Sequence, residues 1–175
     1  MLFSREKPKF YRIAPWLGLC AVLAAQAQPS VKDEGPLVAP VAAPAFPKQS
    51  DLIEFYVSSL TTNRYFIDPT TLSIAQDGVV RYVLVVVTAG GATNISYEGM
   101  DCKEGRWKHY ASGRADASWS WARGIAEEWR VVENKPVNRQ HAALSRDFFC
   151  PNGGSIMNAD EGRKALRLGK HPDSS

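Results

Sequence analysis

Between Val79 and Thr88 the chain reads VVRYVLVVVT, with one charge, Arg81, among apolar residues, a tyrosine and a threonine. Six of these ten residues are valine. β-Branched side chains are stiff at χ1 and suit a pleated surface. At a period of two, Val79, Val83, Val85 and Val87 share a face with Arg81, and Val80, Tyr82, Leu84 and Val86 share the other. Two apolar faces predict a central strand covered on both sides. The run is too short to cross a bilayer as a helix, which takes about 20 residues. Ala89-Gly90-Gly91-Ala92 predicts a reversal. Thr93 to Cys102 then reads as a return strand, with Ile95 and Tyr97 on one face and Asn94, Ser96 and Glu98 on a wetter one. So short a turn makes antiparallel pairing the default.

The flanking patterns are weaker. Leu52, Phe55, Tyr56, Val57 and Leu60 leave a short helix and a first strand both open. Tyr65-Phe66-Ile67 predicts a strand stopped by Asp68-Pro69. Leu72 and Ile74 alternate around Ser73, and Asp77-Gly78 signals a hairpin into the central strand. After the turn at Lys103-Glu104-Gly105, RWKHYASG predicts another strand. Trp107, His109 and Ala111 fall on one face; Arg106, Lys108, Tyr110 and Ser112 fall on the other, which reads as solvated. Ala115 to Asn134 follows no period and holds Trp119, Trp121 and Trp129. These indoles suit either the rim of a small core or an aromatic platform for sugars or peptides. Asn138 to Phe149 predicts a helix capped by Asn138 and ended by Cys150-Pro151. Asn158 to Gly169 predicts a second, with Asp160 and Glu161 early and Arg163, Lys164 and Arg167 late, as the macrodipole favours. The fold class is α+β: an antiparallel meander of about four to six strands with C-terminal helices on one face.

The first 27 residues change the picture of charge. Arg5, Lys7, Lys9 and Arg12 precede the apolar run Ile13 to Ala25, and Ala25-Gln26-Ala27 has small residues at the right spacing. This pattern predicts a signal peptide cut between Ala27 and Gln28. Cys20 is the alternative, a lipidation site, which Leu19 before it disfavours. The chain has 21 Lys+Arg and 18 Asp+Glu; removing four basic residues and one acidic residue leaves 17 of each. The electrostatic footprint of nucleic-acid binding goes with the leader. Cys20 goes too, leaving Cys102 and Cys150 as an even pair in an oxidising compartment, so a disulfide is expected. Neither cysteine lies in a CxxC. Gln28 to Ser50, with five prolines, reads as a disordered or polyproline-like linker. The domain then runs over residues 51–170, with 171–175 as a tail.

Catalytic signatures are sparse. His109, His141 and His171 have no HxH or HExxH context, and GxSxG, Walker and strand-borne GxGxxG motifs do not occur. No metal or other cofactor is expected. Glu98 and Asp101 read as solvated carboxylates near a turn. Asn94-Ile95-Ser96 matches a glycosylation sequon but falls in a predicted strand.

The stretches FYVSSLTTNRYFIDPTTLSIAQDGVVRYVLVVVTAGGATNISYEGMDC, RWKHYASG and NRQHAALSRDFFCP together resemble the CNP1-like family of proteobacterial envelope proteins, from Asp51 to Pro151. The resemblance implies a secreted, periplasmic protein and brings no catalytic residues with it. The order YFIDPTTLS, DGVVRYVLVVV, SYEGMDC, RWKHY is also similar to the surface-adhesin protein E domain. That domain is an antiparallel sheet with helices packed on it, so the second resemblance implies the same fold and an adhesin-like role by fold analogy.

These readings converge on a non-enzymatic periplasmic module that binds an envelope protein, peptide or glycan, without nucleic acid and without a membrane span after leader removal. Its candidate contacts are Arg106, Lys108, Tyr110, Trp119 and Trp121. The alternatives are a surface-exposed adhesin-like protein and an envelope enzyme using His141 with a carboxylate.

Overall fold

The computed structural model describes residues 41–174. The leader, its cut between Ala27 and Gln28, Cys20 and the first part of the linker lie outside the described residues. Seven antiparallel strands form one sheet: β1 (Ile53–Phe55), β2 (Arg64–Ile74), β3 (Val80–Val87), β4 (Thr93–Asp101), β5 (Arg106–Gly113), β6 (Trp119–Trp121) and β7 (Arg130–Val131). The order is β1-β2-β3-β4-β5-β6, and β7 also pairs with β5. β6 meets the Ala111–Gly113 end of β5 while β7 meets Arg106 and Trp107. The fold is therefore the α+β meander read from the pattern, lengthened by two short edge strands.

The valine-rich strand is β3, and it is covered on both sides. Val80, Tyr82 and Leu84 join Ile67, Met100, Leu144, Phe148, Phe149 and Leu166 in the larger core, beneath the helices. Val83 and Val85 join Phe66, Tyr97, Tyr110 and Ala111 in a second cluster on the outer face. Arg81 is buried there with its guanidinium on the Asp77 carboxylate at 2.6 Å, so the strand's one charge is neutralised in the adjoining turn.

Three local expectations are corrected. Asp68-Pro69 does not stop the chain; β2 runs through it with a register irregularity between Asp68 and Ser73. Side chains replace the missing ladder bonds: the Thr70 N–H donates to Asp68 Oδ1 at 2.8 Å, and Val83 N–H donates to Thr71 Oγ1 at 3.1 Å. On β5, a bulge pairs Tyr97 with Ala111 and Glu98 with His109, leaving Tyr110 as the extra residue. Beyond it the alternation inverts. Ala111 joins Tyr110 in the outer cluster, and Ser112 comes within 3.0 Å of His109 Nε2. The face expected to be solvated thus holds a buried Tyr110. Finally, the first C-terminal helix is α-helical only over α1 (Arg139–Ala143) and continues as a π-helix over Leu144–Phe149, with Cys150 N–H on Ser145 C=O. Asn138 makes no side-chain cap.

The second helix, α2 (Ala159–Leu168), is capped as expected: Asn158 Oδ1 accepts the Glu161 N–H at 3.0 Å. It packs closely on β2, because Gly162 has no Cβ to collide with Leu72 and Ile156. Cys102 and Cys150 form a disulfide across a Cα separation of 5.3 Å, tying the end of β4 to the end of the π-helix. His171, read as tail, is buried; its N–H donates to Asp147 C=O at 2.7 Å. No helix among the described residues is long and apolar enough to cross a membrane.

Candidate functional site

The outer face at the β5–β6 edge gathers the aromatic residues. Trp119 pairs with Gly113 and Trp121 with Ala111, so both indoles project on one side of β6. Tyr97 sits between them, with ring centroids 6.2 Å from Trp119, 6.5 Å from Trp121 and 5.3 Å from Tyr110. Burial raises the Tyr97 and Tyr110 phenol pKa values against the opposing pull of Arg81. Both phenols are therefore neutral hydrogen-bonding groups at physiological pH. Trp121 is 44% exposed. Arg114, Trp119, Ser120, Trp121 and Arg123 line a shallow groove of about 510 Å³, in which Arg114 donates to Ser120 Oγ at 3.0 Å.

The structure brings four of the five predicted contacts into this region. Lys108 Nζ lies 5.7 Å above the Tyr110 ring, and Tyr110, Trp119 and Trp121 join through Tyr97. Tyr110 is a buried floor rather than an exposed contact. Arg106 stands apart at the other end of β5, paired with Asp101 at 3.0 Å and stacked over Trp129. Sequence reasoning missed Arg114 and Arg123. Arg123 stands two residues after the alternating Trp119-Ser120-Trp121, whereas Arg114 lies five before it and is brought back by the turn between β5 and β6.

A part of the expected linker also belongs here. Trp119 Nε1 donates to Pro44 C=O at 3.0 Å, and the Phe46 ring lies 5.3 Å from the Trp119 ring. Val41 packs on the same cluster. Gly113 makes room, since a Cβ there would lie 3.0 Å from Phe46 and 2.8 Å from Ile95.

A second polar group lies under α1. His141 Nε2 is 2.9 Å from Glu98 Oε2, Ser96 Oγ donates to Glu98 Oε1 at 2.7 Å, and Trp107 stacks on the imidazole at 3.6 Å. Glu98 is thus not a solvated surface carboxylate. Burial raises its pKa, but His141 and the Ser96 hydroxyl outweigh that, and the carboxyl titrates below its ordinary range. Burial pushes the Tyr82 phenol well up, with the Glu98 charge adding to it. Burial lowers the His109 pKa, the Glu98 charge opposing. His141 Nδ1 is itself buried and has no hydrogen-bond partner among the described residues. No cluster of three or more metal-ligating side chains occurs among the described residues.

Against known proteins, no curated protein and no solved structure matches. A family model does match, over residues 38–167, which takes in the docked prolines, the whole sheet, the disulfide and nearly all of α2. The chain belongs to the CNP1-like family.

Proposed function

We propose that the protein is a secreted, non-enzymatic binding module of the bacterial cell envelope, working in the periplasm, and that it holds its ligand in the groove between Arg114, Trp119, Trp121 and Arg123. The observation that carries this reading is the half-exposed Trp121 flanked by two exposed guanidinium groups and backed by a packed aromatic stack. An indole held this way offers a large contact area at small entropic cost, and arginine adds anionic recognition. Export is supported by the leader pattern in residues 1–27 and by the Cys102–Cys150 bond, which persists in oxidising compartments. The absence of catalysis is supported by the burial of His141 and Glu98, whose side chains are 2% and 5% exposed. They fasten a helix to the sheet.

The test is a photo-crosslinking amino acid placed at Trp121 in the living cell, against the same probe at Arg167 on α2. Adducts that form at Trp121 alone, and vanish with Arg114→Ala and Arg123→Ala together, fit the proposal. No adduct, or equal adducts from both positions, removes it.

A further inference from the structure

We infer that the outer face of the sheet is a receptor for an extended, proline-rich peptide, and that the chain's own Val41–Pro47 segment occupies it as a built-in competitor. The inference rests on the binding-module reading and names the ligand class of that site. Pro44-Ala45-Phe46-Pro47 is a PxxP sequence without regular secondary structure. It meets the sheet as polyproline segments meet aromatic grooves: the Trp119 N–H donates to the Pro44 carbonyl, and the same indole packs on the segment's Phe46 ring. Proline helps such binding because its φ is already fixed, so less entropy is lost on docking.

The segment fills only part of the surface. Pro44, Phe46 and Pro47 are half-buried, whereas Trp121, Arg114 and Arg123 stay exposed. A ligand reaching further along β6 would gain contact with Trp121, and an acidic residue in it would meet the two arginines. Tethering gives the internal segment an effective concentration of roughly millimolar order, so an outside peptide binds weakly until the segment lifts. Strap release and ligand binding are then one equilibrium, and the apparent affinity falls by the fraction of open molecules.

The test uses protein purified after expression of the full chain and a fluorescent peptide, VAAPAFPKQS, copied from residues 41–50. Fluorescence anisotropy should show Phe46→Ala binding it about tenfold more tightly than the unmodified protein. Adding Trp119→Phe, which keeps a ring and removes the indole donor, should reverse that gain. A peptide with alanine for both prolines should bind at least about tenfold more weakly. Equal affinity for Phe46→Ala and the unmodified protein, or for the two peptides, overturns the inference. If Phe46→Ala does not fold, the unmodified protein decides: millimolar peptide carrying a spin label must broaden the indole ¹⁵N–¹H signal of Trp119 more than that of Trp107. An unbroadened Trp119 overturns the inference. A concentration-dependent dimer of the unmodified protein that the peptide dissolves would assign the surface to a second copy's strap and overturn the foreign ligand. Adducts at Trp121 in the cell without peptide binding would sink this inference alone; failure of both experiments removes the module reading as well.

Discussion

Glu98→Ala removes one carboxylate from beneath α1 and strands its partners. His141 Nε2 loses an acceptor at 2.9 Å and Ser96 Oγ loses one at 2.7 Å, while His141 Nδ1 already lacks a partner. Breaking a fully buried pair costs about 3–5 kcal/mol when the survivor keeps its charge. Leaving a neutral buried polar group without its partner costs less, roughly 1–3 kcal/mol. The lost side-chain volume adds to this, so we expect about 3 kcal/mol, or roughly 10 °C in melting temperature for a domain of this size. Glu98→Gln, whose amide keeps a carbonyl acceptor for His141 and offers its NH2 to the Ser96 hydroxyl, should recover about half of it. Thermal unfolding followed by circular dichroism at pH 7.5 measures both. The acid limb gives an independent reading. Because the folded Glu98 pKa lies below the ordinary glutamate value of 4.5, the unfolded chain takes up the proton first as pH falls. The pair's stabilisation is complete above that ordinary value and drains away as pH drops through the folded one. Glu98→Gln should lack this part of the acid loss. A Glu98→Ala protein within about 1 kcal/mol of the original, or an unchanged acid limb in Glu98→Gln, would refute the reasoning.

Three further outcomes follow from the packing. Gly162→Ala places a Cβ 2.6 Å from Leu72 and 2.7 Å from Ile156, and should cost about 1–3 kcal/mol by urea titration; a neutral result would mean α2 shifts freely on the sheet. Replacing Cys102 and Cys150 together by serine opens a loop with a sequence separation of 48 and should cost roughly 4 kcal/mol, and reductant should then have no further effect on the melting temperature. Gly113→Ala crowds Phe46 and Ile95, so trypsin should cleave after Lys48 several-fold faster than in the original protein; an equal rate argues against the docked segment. Between pH 7 and 5 the lowered His109 pKa works in one direction: stability is full above the ordinary histidine value of 6.5 and declines below it, and His109→Gln should flatten that slope.

What the sequence made legible was local or arithmetical. The valine run carried its own evidence for a doubly covered strand, because both faces were apolar. Cys102 and Cys150, the two cysteines of the domain, had only each other. Asn158 announced α2 through a cap completed within three residues. The misreadings each depend on something distant. Glu98 looked wet because its partner His141 is 43 residues away. The swap of Ala111 and Ser112 comes from a bulge created by pairing with β4, which strict alternation cannot contain. Asp68-Pro69 resembles a stop until Thr71 supplies the acceptor that β3 needs. Pro44 and Phe46 have the composition of a linker, and only Trp119, 75 residues on from Pro44, makes them part of the domain.

The shortness of the outer strands has a consequence of its own. β1 spans three residues and carries Glu54, paired with Arg64; on the far side β5 is closed off by β6 and β7, three and two residues long. A long bare edge is a template on which another chain can add a strand, and amyloid-like growth begins that way. Here the outermost strands are stubs: β1 covers Tyr65–Ile67 of β2 and is guarded by an ion pair, while β6 and β7 cover the two ends of β5. The valine-rich strand, an apolar β-branched run of the kind that aggregates when bare, is kept three places from one margin and two from the other.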